Sequence, residues 1–511
     1  MTQDPTITTG EAAPVEPKPP ASIRDTDLSC RLPLLFLFAN AAVWLLIGSV
    51  FALIASIKFH SPYFLADTAG LTYGRVRPAS LDALVYGFCL QAGVAVAIWL
   101  LARLGRRTLL GGLSLVGGSV FWNLGVTVGF LGILAGDSTG YELFEMPGYS
   151  AMFLFLGWVL MAIPALVTFH YRVARPLFPS QWFIVAAVFW FPWIFSTASL
   201  LLLFYPVRGV AQSVISWWYG QNLTEVCLGM LGLGTVFFLV PTVTRRPLHS
   251  RYLALLAFGV LLLVTGWGGI PNSAPVPAWM PALSQVSNLL NLILILSVAL
   301  SVWRTRWPAK PTTAAGAVTG NAPADSASSR GLPNDGTCLS FGIFATASFL
   351  VAGLMRSFEA WLNPNELLHF TWFSTARTEL QVYGFFAAAI FGAAYYMLPR
   401  ITGLAFSWPR LARAHYWVGL VGLVLIVLPF AVGGILQAIQ LGNPAVPFMN
   451  TVRLSAHFLR VSTIGELLLL AGHVLFAANI AGLLRQLYRA RVVPVYEAAT
   501  EDLFEVAEGK A

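Results

Sequence analysis

The sequence predicts an all-α membrane protein with twelve transmembrane helices. Of the 511 residues, 57% are hydrophobic and only 10% are charged. A soluble domain of this length would carry about 25% charged residues. The mean hydropathy of +0.73 is that of a chain whose main solvent is the bilayer. Seventeen Trp and 36 Phe fit aromatic side chains that anchor at the membrane interface and fill gaps between helices.

Each predicted helix is an apolar run long enough to cross the hydrocarbon core, which takes roughly 20 residues. The runs lie at 33–58, 81–103, 109–135, 150–170, 181–205, 213–242, 252–271, 278–303, 338–361, 372–398, 414–437 and 461–484. The chain shows no internal repeat at the spacing of transporter repeats.

Polar segments divide the chain. Residues 1–31 are Pro-rich and contain no apolar run, which predicts a disordered cytoplasmic tail rather than a signal peptide. Helices one to eight fill 32–306, and helices nine to twelve fill 338–487. Between them, 307–337 is rich in Pro, Ala, Ser and Gly and is interpreted as a flexible cytoplasmic linker, with a docking role as the alternative. Residues 488–511 form a second cytoplasmic tail.

The basic residues predict the orientation. With the N-terminal tail placed inside, the tails and inner loops hold 22 Lys and Arg, and the outer loops hold 6. This split places both termini in the cytoplasm. It also accounts for the net charge of +8 without a nucleic-acid partner.

Several chemistries are excluded by motif. The four cysteines are scattered, with no CxxC and no CxxCH, so the sequence predicts no disulfide framework, zinc ribbon or covalently attached haem. No P-loop, dinucleotide-binding glycine motif or nucleophile elbow is present. No two of the seven histidines are adjacent or stand at HxH spacing, so no metal site of recognisable spacing exists. His473 alone is predicted to lie deep in the membrane, hydrogen-bonded to a neighbouring helix.

Charge inside a predicted span is costly and marks a candidate functional site, and five ionisable residues are singled out on this ground. They are Asp82, Glu225, Arg377, Glu379 and Glu466. For Asp82 and Glu466 a structural ion pair or a wet position near the interface is the favoured interpretation. Arg377 and Glu379 are two residues apart on one helix and cannot pair with each other. Each therefore needs a partner on another helix.

Three longer stretches resemble a known family. LTYGRVRPASLDALVYGF (71–88) resembles the pattern LTYGRxRPxHxNAxxYGF of cbb3-type cytochrome c oxidase subunit I, SWWYGQN (216–222) resembles its WWYGHN, and 370–403 resembles its segment with the HxH motif. The resemblance covers about 30–487 and places the chain with the haem–copper oxidase superfamily, to which the nitric oxide reductases are related. It implies a twelve-helix bundle of the subunit I type, two haems, one copper and a bacterial inner membrane.

The departures from the family fall on the metal ligands. Ser80 and Glu379 occupy the positions of the two low-spin haem ligands, Arg377 that of the high-spin haem ligand, and Gln221 that of a copper ligand. The segment 266–279 lacks the pair of histidines that completes the copper site.

The substitutes are poor ligands. The tyrosine expected in helix seven is also missing, Thr265 standing in its place. Arg offers no lone pair to a metal. The sequence therefore predicts neither haem nor copper. Glu225 stands four residues after Gln221, the spacing at which the related reductases bind a non-haem iron through Glu. The simpler hypothesis is that Glu225 pairs with Arg377 across the former active site.

The leading hypothesis is a degenerate, cofactor-free relative of the oxidase catalytic subunit. It would act as a structural, regulatory or proton-path subunit beside other respiratory subunits, such as a c-type cytochrome. One alternative is an active oxidase or reductase-like electron-transfer subunit with unusual haem ligands. Another is a transporter that reuses the scaffold.

Overall fold

The computed structural model describes residues 20–174, 176–307, 334–361 and 365–497, which are α-helical without a β-strand. The principal helices are α1 (Ile23–His60), α2 (Tyr73–Gly105), α3 (Gly112–Ala135), α4 (Gly148–His170), α5 (Pro179–Phe204), α6 (Val210–Thr244), α7 (Arg251–Trp267), α8 (Trp279–Arg306), α9 (Asp335–Trp361), α10 (Trp372–Thr402), α11 (Pro409–Leu441) and α12 (Phe448–Arg491). The predicted all-α membrane bundle is confirmed.

The seventh span is shorter than predicted. Among the described residues, eleven helices are long and apolar enough to cross a bilayer, and α7 is not one of them. Its α-helical part, Arg251–Leu263, is 13 residues long and is followed by one 3₁₀ turn. At 1.5 Å per residue it reaches about 20 Å, against a hydrocarbon core of about 30 Å. The glycines and proline of the segment 266–271 end the helix early, because these residues do not continue it.

The first helix begins inside the segment that the sequence analysis assigned to a disordered tail. Ser22 caps it by accepting a hydrogen bond from the Asp25 N–H, and α1 starts at Ile23. Asp27 is buried and its Oδ2 lies 2.5 Å from Nη1 of Arg103 in α2. This ion pair lets a polar stretch pack against the bundle, so the tail prediction is wrong for these residues.

Other predicted segments fall partly outside the described residues. Residues 1–19, 308–333 and 498–511 lie outside them, so the linker interpretation stays a prediction. At the linker's end, α9 starts at Asp335, slightly earlier than predicted. α12 continues through Arg491, into the segment assigned to the C-terminal tail.

Three helices form the centre of the bundle. The most apolar stretch of α2 and that of α10 are completely buried, and that of α6 is 94% buried. In the other spans the corresponding value lies between 33% and 56%, as expected for helices that turn one face to lipid. Ser80, Gln221, Arg377 and Glu379 all stand on the three central helices. The family's ligand positions therefore converge on the interior.

Each central helix also contains a π-helical segment. The segments are Ala83–Leu90 in α2, Asn222–Cys227 in α6 and Leu380–Ala387 in α10, and α5 ends in a fourth, Ser199–Phe204. The α6 and α10 segments begin directly after Gln221 and Glu379. Such π-bulges re-aim side chains and are frequent at functional sites. Two of these distortions thus lie directly after positions that the resemblance assigns to metal ligands.

Helices α11 and α12 pack closely because glycines face each other. A Cβ placed on Gly422 would lie 3.0 Å from the carbonyl oxygen of Gly465, and one on Gly465 would lie 2.6 Å from the carbonyl oxygen of Gly422. Small residues let membrane helices approach to backbone contact. In contrast, a Cβ on Gly419, one turn earlier, would meet no atom within 4 Å.

We expect Gly422→Ala to lower the unfolding temperature of the purified protein in detergent, because the new methyl group meets backbone that cannot move aside. The cost should be about 1–3 kcal/mol, as for an overpacked core. Gly419→Ala is the matched control and should not lower the unfolding temperature, since its methyl group enters open space. Equal effects of the two substitutions would contradict the close approach of α11 and α12.

Candidate functional site

A cavity of about 130 Å³ lies among α6, α8, α9 and α10. It stands at the end of the bundle where α7 and α9 finish and α10 begins. Its polar lining includes Gln221, Thr224, Asn288, Arg356, Glu359 and Arg377. Two family ligand positions, those of Gln221 and Arg377, therefore face the same cavity.

An ion-pair network closes one side of this cavity. Nη1 of Arg377 lies 3.2 Å from Oε1 of Glu225, and its Nε lies 3.5 Å from Oε2 of Glu359. Arg356 contacts the same Glu225 oxygen through Nη2. All four side chains are largely buried, Arg377 being the most exposed at 17%. Two positive and two negative charges cancel, which limits the cost of burying them.

Local sequence explains how these groups meet. Thr371 begins α10 by accepting a hydrogen bond from the Phe373 N–H, and Arg377 follows in the second turn. Arg356 and Glu359 are three residues apart on α9 and share a helical face. Glu225 lies in the π segment of α6. The structure brings Glu225 and Arg377 together, as the sequence analysis proposed.

Arg356 and Glu359 are not among the candidate site residues predicted from the sequence. Both lie within the predicted ninth span, 338–361, yet so near its end that the count of basic residues assigns Arg356 to the outer loop. They are 4% and 6% exposed. The sequence feature that could have identified them as site residues is an Arg and a Glu three positions apart in an apolar run. That spacing aims both side chains at one neighbour.

Gln221 stands at the position that the resemblance assigns to a copper ligand, and its side chain is hydrogen-bonded to backbone. Its Nε2 donates to the carbonyl oxygen of Thr265, at 2.9 Å. A Cβ on Gly268 would lie 2.8 Å from the same nitrogen and 2.7 Å from Oδ1 of Asn288. Only glycine therefore lets the segment after α7 pass so close. The amide of Gln221 fastens this segment to α6.

Glu379, at a position that the resemblance assigns to a low-spin haem ligand, forms a second ion pair. Nη2 of Arg77 lies 3.2 Å from Oε1 of Glu379, which joins α2 to α10. The hydroxyl of Ser80 donates to the Arg77 carbonyl oxygen at 2.7 Å. Glu466 of α12 is buried and acts electrostatically on both Arg77 and Glu379. Glu379 thus has its partner on another helix, and Glu466 extends the cluster.

The residues present do not fit the two haems and the copper of the family. Ser80 and Gln221 donate hydrogen bonds to backbone, Glu379 is paired with Arg77, and Arg377 cannot coordinate a metal. Within the described part of the chain no three His, Cys, Asp or Glu side chains converge as a metal site. The donor set of the non-haem iron alternative is therefore not assembled around Glu225.

Aromatic side chains fill much of the interior between the central helices. A Cβ on Gly93 of α2 would lie 3.0 Å from the Phe386 ring, and one on Gly232 of α6 would lie 2.5 Å from the Phe385 ring. The rings of Phe88 and Phe391 stack with centroids 5.3 Å apart. Phenylalanines of α10 thus pack directly against the glycines of its two central neighbours.

The histidines differ in part from expectation. His473 is buried, and its Nδ1 lies 2.6 Å from Oγ of Ser49 on α1, which confirms the predicted bond to a neighbouring helix. His415 is also buried, because the aromatic rings of Phe341 and Phe391 cover it at the beginning of α11. His369 follows α9 and lines the charged cavity; burial and Arg377 lower its pKa to about 4.

The bundle and its converging ligand positions define a membrane protein of the haem–copper oxidase class. The family model for cytochrome c and quinol oxidase polypeptide I matches residues 33–468. The chain belongs to this family, which confirms the resemblance seen in its motifs.

Individual relatives agree with this assignment. The chain is 24% identical to cytochrome c oxidase subunit 1 of Rhodobacter capsulatus, over 86% of this chain and 82% of the relative. It is 22% identical to a cbb3-type cytochrome c oxidase subunit of Stutzerimonas stutzeri, over 86% and 91%. A nitric oxide reductase chain from Stutzerimonas stutzeri matches at 22% identity, over 70% and 72%.

A solved structure shares the fold. A haem–copper terminal oxidase dimer studied by cryo-electron microscopy superimposes with a TM-score of 0.67 at 15% sequence identity. The superposition covers 89% of this chain and 84% of that chain. The haem–copper oxidase subunit I bundle is therefore the fold of this protein.

We expect Glu225→Gln to be strongly destabilising, because it leaves the guanidinium groups of Arg356 and Arg377 with one carboxylate between them. Breaking a buried pair in this way costs about 3–5 kcal/mol. Thermal unfolding of the purified protein in detergent measures the loss.

The double variant Glu225→Gln/Arg356→Gln is the control, since it again balances the charges. It should be less destabilised than Glu225→Gln alone. If the second substitution instead adds its own full cost, the two side chains are not coupled and the network is not the stabilising unit.

Proposed function

We propose that this protein is a cofactor-free relative of the oxidase catalytic subunit and a non-redox membrane subunit of a respiratory assembly. One observation carries the proposal. The side chains at the family's ligand positions are engaged in ion pairs and hydrogen bonds with other groups of the chain. A metal would have to break these bonds and would gain no histidine in return.

The buried charges favour a proton path within this role. Arg356, Glu359 and Arg377 line a polar cavity inside an apolar bundle, and Glu225 forms ion pairs with both arginines. Ionisable side chains at membrane depth commonly line proton relays. Protons move along such groups without any electron transfer, so the path does not need the lost cofactors.

The setting follows from the family and the charge distribution. Members of the family are embedded in the membrane and associate with other oxidase subunits. We infer a bacterial inner membrane, with both termini in the cytoplasm, from the 22 to 6 split of basic residues. A c-type cytochrome is one partner that the resemblance suggests. In this proposal the cytochrome binds this protein, which acts as a structural or regulatory subunit.

Two other functions compete with this proposal. An electron-transfer subunit with unusual haem ligands needs donors that Ser80, Gln221, Arg377 and Glu379 do not supply. A transporter could use the charged cavity, whose volume of about 130 Å³ admits only a small polar species. Haem content separates the first alternative from the proposal, and a solute-uptake assay separates the second.

We expect the purified full-length protein to contain no haem and no copper. The pyridine haemochrome assay and a reduced-minus-oxidised visible spectrum measure haem, and elemental mass spectrometry measures copper. An intact cbb3-type catalytic subunit from the same expression host is the control that haem and copper were supplied. Haem at one or more per chain would overturn the proposal and direct attention to the residues that replaced the histidines.

A further inference from the structure

Two carboxyl groups, those of Asp82 and Glu145, lie within hydrogen-bonding reach of each other in the interior, away from the ion-pair networks. Asp82 of α2 is completely buried, and Glu145, in the loop between α3 and α4, is 6% exposed. Both Oδ atoms of Asp82 and Oε2 of Glu145 lack a hydrogen-bond partner among the described residues. The Met146 N–H lies near Asp82 but does not donate a hydrogen bond to it.

The neighbouring hydroxyl groups have no hydrogen left to offer this pair. Tyr86 Oη donates to the carbonyl oxygen of Leu143 at 2.7 Å. Tyr219 Oη lies 2.6 Å from Tyr86 Oη. Because the single hydrogen of Tyr86 is used on Leu143, Tyr219 must be the donor in that second bond. Both hydroxyl hydrogens are therefore committed, and the carboxyl groups have to supply their own.

Within the described part of the chain, no Lys, Arg or His acts on the pair. The titratable groups that act on it or on its tyrosines are Tyr86 from α2, Glu142 from the loop, and Tyr219 and Cys227 from α6. All of them are acidic or neutral. Two adjacent carboxyl groups without a cation cannot both ionise in a buried site. Burial, followed by the charge of Asp82, raises the pKa of Glu145 well above its usual range.

The sequence explains why this chain needs a proton there. In the cbb3-type pattern the position of Asp82 is Asn, whose amide can donate a hydrogen bond to a neighbouring carboxylate. A carboxyl group in its place makes the same bond only if it carries a proton. The change from Asn to Asp thus converts an ordinary hydrogen-bond donor into a titratable one.

We propose that Asp82 and Glu145 share a proton and form a proton-binding site beside the charged cavity. Glu142 and Leu143 of the same loop line that cavity. The loop that carries Glu145 therefore connects the acid pair to the lining of the cavity. The inference does not depend on whether haem is absent.

Infrared spectroscopy of the purified full-length protein at pH 7 tests the site. A protonated carboxylic acid shows a carbonyl stretching band that shifts in deuterium oxide. Wild type minus Asp82→Asn and wild type minus Glu145→Gln should each contain a difference at this band, because each substitution removes one of the two carboxyl groups that share the proton. Asp137→Asn, an exposed change in the same loop, is the matched control and should give no such difference.

Two outcomes would overturn the proposal. In one, neither substitution changes the carboxylic-acid band, although both variants elute as folded protein. In the other, the wild-type band is present only after sodium, potassium and calcium are exchanged for choline, which would make the occupant a metal cation. Neither outcome bears on haem content, so the failure of this site and the failure of the proposed function are distinguishable.

The pH dependence of stability is a second readout. Because the folded-state pKa of Glu145 is raised, the folded protein keeps a proton that the unfolded chain releases above its ordinary pKa. Stability should therefore fall as pH rises from the ordinary glutamate range towards neutrality. Glu145→Gln should reduce this slope and Asp137→Asn should not. An unchanged slope in Glu145→Gln would count against a shared proton.

Discussion

The low dielectric of the interior is the constraint on which this structure depends, because every charge placed there needs a partner. Glu225 receives Arg377 from α10 and Arg356 from α9, so one carboxylate joins three helices. Without it, two guanidinium groups would remain buried beside one acid, and the cost would be a large fraction of the net stability of many domains. The packing of α6 against α9 and α10 is therefore inseparable from charge balance.

The backbone around this network keeps the form of a metal-binding scaffold. The π segments of α6 and α10 begin directly after Gln221 and Glu379, positions that no longer carry histidine. A π-bulge gives up regular i to i+4 bonds, and it persists when the packing around it is built to that shape. Phe385 and Phe386 supply such packing, since their rings lie against glycines of α6 and α2.

The sequence was sufficient for the bundle and for most helices, because apolar runs of membrane length leave few alternatives. It failed at α7, where glycines shorten the helix, and at α1, where Asp27 finds Arg103 on another helix. The pairing of Glu225 with Arg377 could be proposed because the family's fold sets both around one cavity. Arg356 and the acid pair at Asp82 could not, because their partners depend on which faces of distant segments meet. That information lies in packing rather than in spacing.

The buried charges argue against simple decay. Apolar residues of similar volume commonly replace a buried ion pair without loss of stability, and sometimes with a gain. A subunit selected only for shape would therefore be expected to exchange Glu225, Arg356, Glu359 and Arg377 for leucine or phenylalanine, as the aromatic packing shows is possible nearby. Instead three of these side chains line a polar cavity, and Glu225 pairs with the two arginines among them. Buried ionisable groups of this kind agree with the proposed proton path better than with a purely structural role.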